Sequence, residues 1–142
     1  MLTSLDIKEP GLNVLPLGVE RHVVNGGGLT GIQIFPDDEI EIINDEGNQV
    51  CEISVFNKNG KSELSILNLK ENKDSSEIKK ILSKRDEASL VTSYQLKKRN
   101  LDINKSKSAI VFDKDASLGE KIKLISKDKC YCIFAAPGAD ML

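Results

Sequence analysis

Polar and apolar side chains alternate along several segments of the chain, which is the pattern of half-buried β-strands. The alternation is clearest at residues 39–43, where isoleucines take turns with glutamates. Residues 1–17 read as an extended lead-in that holds one short strand. The same pattern predicts further strands at residues 18–24, 30–35, 49–56, 61–69, 109–112, 121–126 and 130–136.

Short turns rich in Asn, Asp and Gly join many of these strands. Residues 44–48 are the clearest turn, because Asn and Asp side chains bond their own backbone and Gly47 can take a positive φ. Residues 57–60 and 127–129 read as further tight turns, and the glycines at 26–28 as a flexible hairpin. The sequence therefore predicts an antiparallel meander of four strands, and a hairpin at its end.

The period of the pattern changes between residues 70 and 105, where two helices are predicted. Asp74 is the expected N-cap of the first helix, with Glu77 three residues later at the spacing of a capping box. The second helix spans residues 88–99 and places three apolar side chains on one face, while its other faces are lysine-rich and solvated. Those three residues are Leu90, Val91 and Tyr94.

The order of these elements predicts a mainly β fold of the α+β class. We expect an antiparallel β-sandwich or a small barrel with two helices inserted between its hairpins. Residues 38–45 and 119–126 resemble each other weakly, since both read as a turn, an alternating strand and a second turn. Two similar hairpins that face each other would suit a sandwich or a barrel.

Length and charge narrow the classes of function. The 142 residues fit a single β-rich domain spanning 1–142, and the net charge of −2 argues against nucleic acid as the main partner. The apolar runs are far shorter than the roughly 20 residues of a membrane span, and the N-terminus lacks the features of a secretory signal. Three cysteines with no sign of export predict a reduced, cytoplasmic protein.

Four side chains make up a candidate metal site. His22, Cys51, Cys130 and Cys132 would complete a tetrahedral zinc set of three thiolates and one imidazole. Against this hypothesis, structural zinc usually draws on Cys-x-x-Cys turns, and cysteines embedded in apolar strands more often pack as small hydrophobic residues. The acidic residues at 37–41 are typical of a solvated strand face rather than a cation site.

Residues 36–52 resemble the opening of the urea carboxylase-associated family, whose pattern is a turn, an alternating strand and then Asp-x-x-Gly-x-Gln-x-x-Asp. Gly47 and Gln49 match this pattern, Asp45 lies one place away from its Asp, and Glu52 replaces its final Asp. The chain as a whole, including residues 18–24 and 130–137, is similar to the N-terminal part of trimethylamine N-oxide demethylase-like proteins. These proteins also carry a glycine-cleavage T-type, folate-binding aminomethyltransferase domain.

The resemblance implies a two-stage parent enzyme, a demethylase of methylamine and one-carbon metabolism. A metal-containing β domain would release formaldehyde from an N-methyl compound, and tetrahydrofolate in another domain would capture the one-carbon unit. Under this reading the chain is an accessory N-terminal domain without catalytic residues, which packs against the other domains or forms a homo-oligomer. It would then expose an apolar patch near its last strand.

Two alternatives remain open at the level of the sequence. The chain would be a small metal-binding or metal-dependent enzyme domain if His22 and the three cysteines met. A cupin-like binder of small ligands is a weaker candidate, because cupins use several histidines and this chain has one.

Overall fold

The structure is a computed structural model of the chain. It describes residues 4–10, 19–44, 47, 49–112 and 117–138, with only the backbone described at 4–10 and 19–21. The strands in these residues are β1 (Ser4–Pro10), β2 (Val19–Asn25), β3 (Gly28–Ile34), β4 (Glu39–Asn44), β5 (Cys51–Asn57), β6 (Ser108–Val111), β7 (Glu120–Ile125) and β8 (Cys130–Ala136). The helices are α1 (Ser76–Ser83) and α2 (Glu87–Lys98), with 3-10 turns at Leu64–Leu67 and Ile103–Lys105.

The strands form two antiparallel sheets of four strands each within the described residues. The outer sheet has the order β2-β1-β4-β7, and the central sheet has the order β3-β8-β5-β6. The predicted mainly β fold with two inserted helices is confirmed. Of the two architectures that the sequence left open, the structure forms the open sandwich and not the closed barrel.

The core between the two sheets follows the period-two pattern of the sequence. Ile40 and Ile42 of the outer sheet pack against alternate residues of the central sheet, such as Ile53, Val55 and Phe134. All five side chains are fully buried. Each large aliphatic or aromatic side chain that is buried in this way contributes about 1.5–3 kcal/mol to folding.

The helices cover the opposite face of the central sheet. Ile78 and Ile81 of α1 and Leu96 of α2 contact Phe56 and Ile133 of the central strands. The molecule therefore has three layers, and β8, which is buried at all seven residues, lies in the middle one. None of the described helices has the length and apolar character needed to cross a membrane.

The predicted hairpin between β4 and β5 is wrong, because the two strands belong to different sheets. β4 pairs with β1 and β7, whereas β5 pairs with β6 and β8. The physical reason lies in the outward face of β4, where Glu39 and Glu41 reach Lys123 of β7 at 3.3 and 4.0 Å. Such a charged face needs water, and the central sheet is covered on both faces. The expectation that these acidic residues form a solvated strand face is confirmed.

The turns at residues 26–28 and 127–129 also cross between the sheets, so both predicted hairpins are wrong: β2 does not pair with β3, and β7 does not pair with β8. The two segments that resemble each other, 38–45 and 119–126, lie side by side because β4 pairs with β7. After each of them the chain crosses to the central sheet, where β5 pairs with β8. The internal similarity therefore corresponds to two neighbouring crossings instead of two hairpins that face each other.

The predicted strand at 61–69 is also wrong, so the four-stranded meander does not form. The tight turn at 57–60 is present, with the Gly60 amide donating to the Asn57 carbonyl at 2.9 Å. After it, only the bridge between Phe56 and Ser62 is made, and the chain enters the 3-10 turn Leu64–Leu67. The turn buries Leu64, Ile66 and Leu67, which is more apolar surface than an alternating strand would bury.

The first helix begins one residue later than predicted and has no capping box. Ser75 is its N-cap, and Asp74 accepts a hydrogen bond from the Ser76 amide at 3.1 Å. Glu77 pairs with Lys80 at 3.3 Å instead of returning to the cap. The second helix starts after Asp86, whose carboxylate accepts from the Ser89 amide at 2.9 Å.

The close approach of the Tyr131 side chain to the backbone of β3 explains the glycine at position 31. A Cβ atom at Gly31 would stand 1.9 Å from the hydroxyl of Tyr131 and 2.6 Å from its Cζ atom. The Tyr131 ring lies across β3 at this point and is only 6% exposed. Any side chain at position 31 would therefore displace the ring.

We expect Gly31→Ala to lower the free energy of unfolding by about 1–3 kcal/mol, the usual cost of overpacking. Urea denaturation measures the change. The matched test places Gly31→Ala in a Tyr131→Ala background, where the cost should almost disappear because the obstructing ring is gone. An equal loss of unfolding free energy in both backgrounds would show that the backbone conformation of β3, and not the Tyr131 ring, disfavours a side chain at position 31.

Candidate functional site

Gly47 and Gln49 of the resemblance motif lie in the crossing from β4 to β5. Gly47 has φ of 73°, and its amide donates to the Asn44 carbonyl at 3.3 Å. The side-chain amide of Asn44 donates to the backbone carbonyl of Gln49 at 2.7 Å. The side-chain amide of Gln49 donates to the backbone carbonyls of Val50 and Pro137 at 2.7 and 3.0 Å. These buried contacts attach the crossing to the end of β8. Asp45 lies outside the described residues.

Glu52, the last residue of the motif, points to the helices and is fully buried. Its Oε1 atom accepts from the Ile78 amide at 3.1 Å, in the first turn of α1. Ser75 makes no capping bond of its own, so the carboxylate of a distant strand takes that role. Burial raises the pKa of Glu52, and the charges of Glu77 and Asp74 raise it further. The hydrogen bond from the Ile78 amide lowers this pKa but does not outweigh the effect of burial.

Four serine side chains lie close to Glu52 in the same layer. The hydroxyls of Ser75 and Ser106 are 2.6 Å apart, the Ser54 hydroxyl also bonds Ser106, and the Ser75 amide donates to the Ser108 hydroxyl at 3.0 Å. All four serines are buried. A serine nucleophile needs an adjacent base, but the single histidine of the chain is on β2 in the outer sheet. These hydroxyls hold α1 and residues 106–108 onto the central sheet.

The structure does not bring the four predicted zinc ligands together. His22 is in the outer sheet, opposite Ile7 of β1, while the three cysteines are in the central sheet and face the sandwich core. Cys132 lies opposite Val55, four residues along β5 from Cys51, which is a separation of roughly 13 Å. No group of three or more His, Cys, Asp or Glu within the described residues could hold a metal ion.

The cysteines pack as small hydrophobic residues, the other interpretation of the sequence. The sulfur atoms of Cys130 and Cys132 are 3.6 Å apart, and Ser126 approaches Cys130 at the same distance. The hydrogen bond from Cys132 lowers the pKa of the Cys130 thiol, whereas burial raises the pKa of Cys51 far above its ordinary value. Two buried thiols without a third donor do not fit the tetrahedral zinc set.

The exposed apolar patch lies on α2 and not on the last strand, where the sequence placed it. The face of α2 that packs inward carries Ser89, Thr92 and Leu96, and all residues of β8 are buried. The outward side chains, which we call the α2 apolar face, are Leu90, Val91 and Tyr94, exposed to 50, 57 and 61%. The sequence grouped these three correctly on one face, but their exposure was not foreseen.

A groove of about 450 Å³ runs between α2 and β3, beside the α2 apolar face. Val91 belongs to both the face and the groove, so the two surfaces are continuous. The floor of the groove is formed by Leu29, Gly31 and Tyr131. The groove is mixed in character, because Thr30, Glu87, Thr92 and Gln95 line it as well.

A smaller cleft of about 240 Å³ shares Tyr131 with that groove. We call it the cationic cleft, because Arg99, Lys58 and Lys129 line it. The Arg99 guanidinium lies 4.5 Å from the centre of the Tyr131 ring, and its Nη1 atom donates to the side chain of Gln33. Sequence reasoning missed this cleft, since its residues come from four segments that are distant in the chain.

The chain is similar to the trimethylamine-oxide aldolase of Ruegeria pomeroyi, with 27% identity over 135 residues. The match covers 95% of this chain but 17% of the relative, so the chain spans about a sixth of the relative's length. No protein-family model matches the chain, and no solved structure matches it. The similarity supports a relation to N-oxide demethylase-like proteins, while membership of the urea carboxylase-associated family stays a prediction.

The burial of Glu52 predicts a pH-dependent stability. A carboxyl group whose pKa is raised in the folded state binds more protons there than in the unfolded chain, so stability falls as the pH rises through the ordinary value of 4.5 and up to the raised value. We expect the free energy of unfolding of Glu52→Gln to decline less than that of the wild type between pH 4 and pH 8, because the amide cannot ionise.

Urea titrations across this pH range measure the difference, with Glu71→Gln as the control at an exposed position. The control should keep the wild-type pH dependence. Parallel curves for Glu52→Gln and the wild type would show that the buried carboxyl does not change its protonation on folding.

Proposed function

We propose that this chain is an accessory, non-catalytic domain of an N-oxide demethylase-like protein of methylamine and one-carbon metabolism. Its part would be to pack against the catalytic domains through the α2 apolar face. The release of formaldehyde, and its capture by tetrahydrofolate, would belong to those other domains. The chain itself would need no cofactor.

The observation that carries this proposal is the orientation of α2. An amphipathic helix normally turns its apolar stripe to the core, because burial of that stripe drives its packing. Here the inward face carries Ser89 and Thr92 beside Leu96, while three large apolar side chains stay in solvent. Burying these against a partner would gain about 1.5–3 kcal/mol for each side chain that is fully covered. The continuous groove along β3 extends the area that a partner would cover.

The similarity to the aldolase supports the same conclusion. It extends over almost the whole chain, yet it accounts for 17% of a relative whose name states a reaction on trimethylamine oxide. Most of the relative is therefore available for other domains. Within the described part of this chain, the four serines beside Glu52 and the three cysteines are buried in the packing.

The alternative function, a metal-binding or metal-dependent enzyme domain, has less support. It requires His22 and the cysteines in one place, and the described residues separate them into two sheets.

Replacing the α2 apolar face tests the proposal. We expect the variant Leu90→Ser/Val91→Ser/Tyr94→Ser to weaken binding to the separately purified catalytic domains of the N-oxide demethylase-like protein at least tenfold, because a loss of 1.4 kcal/mol corresponds to a factor of ten. Isothermal titration calorimetry with the purified 142-residue chain measures the affinity. The matched control replaces three other exposed apolar residues, Val23, Leu118 and Ile125, by serine and should bind as the wild type does.

Two further measurements distinguish the accessory role from catalysis by the chain itself and from self-association. Formaldehyde release from trimethylamine N-oxide is assayed with the chain alone, and we expect none; activity of the isolated chain would refute the accessory role. Sedimentation velocity of the chain alone shows whether the same face joins two copies. A dimer that the triple variant dissociates would assign the face to self-association and contradict the proposed partner.

A further inference from the structure

The cationic cleft holds more positive than negative charge. Arg99, Lys58 and Lys129 line it, and Asp128 pairs with Lys58 at 3.6 Å. No carboxylate of a described residue forms an ion pair with Arg99 or Lys129. The residues that line this cleft of about 240 Å³ thus include three cations and no carboxylate, while Glu63 bonds the Asn57 side chain at its edge.

The guanidinium of Arg99 is held in place by neutral groups. Its Cζ atom lies 4.5 Å from the centre of the Tyr131 ring, its Nη1 atom donates to Gln33, and its Nε atom donates to the Gln95 side chain at 3.3 Å. Gln33 is itself fixed, because its amide nitrogen donates to the Cys130 carbonyl at 2.8 Å. An arginine that is positioned without a counter-charge has already lost much of the side-chain entropy that binding would otherwise remove.

The two lysines come from turns that are also well defined. Lys58 belongs to the 57–60 turn, where the Asn57 side chain accepts from the amides of Asn59 and Lys61 at 2.9 and 3.0 Å. Lys129 lies over the ring of Phe35 at 5.8 Å. Both lysines therefore reach the cleft from short, hydrogen-bonded segments.

We propose that the cationic cleft is a binding site for a small oxyanion, a carboxylate or phosphate group of a small molecule. The planar fork of Arg99 would bind two oxygens of the group, and the ammonium groups of Lys58 and Lys129 would neutralise the remaining charge. The volume suits the anionic group with a few further atoms rather than a large ligand. This site is independent of the α2 apolar face, so either proposal can fail without the other.

Nuclear magnetic resonance titration of the 142-residue chain tests the site with two probes, sodium phosphate and sodium acetate, at constant ionic strength kept with sodium chloride. We expect saturable shifts at the Gly60 amide and at the side-chain amide of Gln33. Three cations line the cleft, so the more highly charged phosphate should bind more tightly than acetate. Tighter binding of acetate would assign the site to a carboxylate ligand.

Variants then locate the binding. We expect Arg99→Lys to weaken binding of phosphate about tenfold, because a lysine keeps the charge but loses the fork. Lys129→Gln should weaken it several-fold and does not touch the packing of Tyr131. Arg85→Gln removes a guanidinium outside the cleft and should leave the affinity unchanged.

The proposal is overturned if phosphate and acetate give only linear shifts like those of chloride, or if Arg85→Gln costs as much affinity as Arg99→Lys. The dispersion of each spectrum shows whether the variant is folded. Should Arg99→Lys be unfolded, Lys129→Gln decides the question, and an affinity equal to that of the wild type would refute the site.

Discussion

The burial of the central sheet on both faces is the constraint on which the rest of the structure depends. β8 has no exposed residue, and β5 has a single partly exposed residue at its end. One face packs against the outer sheet and the other against the helices, so neither can carry an unpaired charge. Strands with a charged face are thereby assigned to the outer sheet, where Glu39 and Glu41 of β4 pair with Lys123 of β7.

The single acidic side chain of the central sheet shows how strict this constraint is. Glu52 is tolerated because the first turn of α1 offers it an amide donor and the positive end of the helix dipole. In return the carboxylate caps a helix whose own N-cap side chain makes no capping bond. The serine hydroxyls beside it hydrogen-bond to one another. The layer between the central sheet and the helices is therefore closely packed although it contains polar groups.

The two surface features that we connect with function both depend on the way α2 lies on the sheet. The helix packs through Leu96 together with the smaller Ser89 and Thr92, while the α2 apolar face stays exposed. At its C-terminal end Arg99 reaches over Tyr131 into the cationic cleft. Tyr131 connects the two regions, since it lines both the groove and the cleft. The fold thus presents an apolar surface and a cationic one on the side of the molecule that carries the helices.

Much of the local structure was predictable from the order of the residues. Alternation identified β4, helical spacing identified α1 and α2, and Gly47 marked a real turn with positive φ. These features depend on neighbours within a few positions, because the periods of strands and helices are local properties. The grouping of Leu90, Val91 and Tyr94 on one face followed from the same rule.

Sheet membership, helix orientation and the sites were decided only in the folded molecule. Whether residues 44–48 close a hairpin or cross between sheets depends on which faces are covered, and these faces belong to segments far apart in the chain. The same holds for Glu52, whose amide partner is 26 residues away, and for Arg99, whose partner Gln33 is 66 residues away. Burial and charge pairing are relations between distant segments, so a pattern read along the chain predicts its elements but not their neighbours.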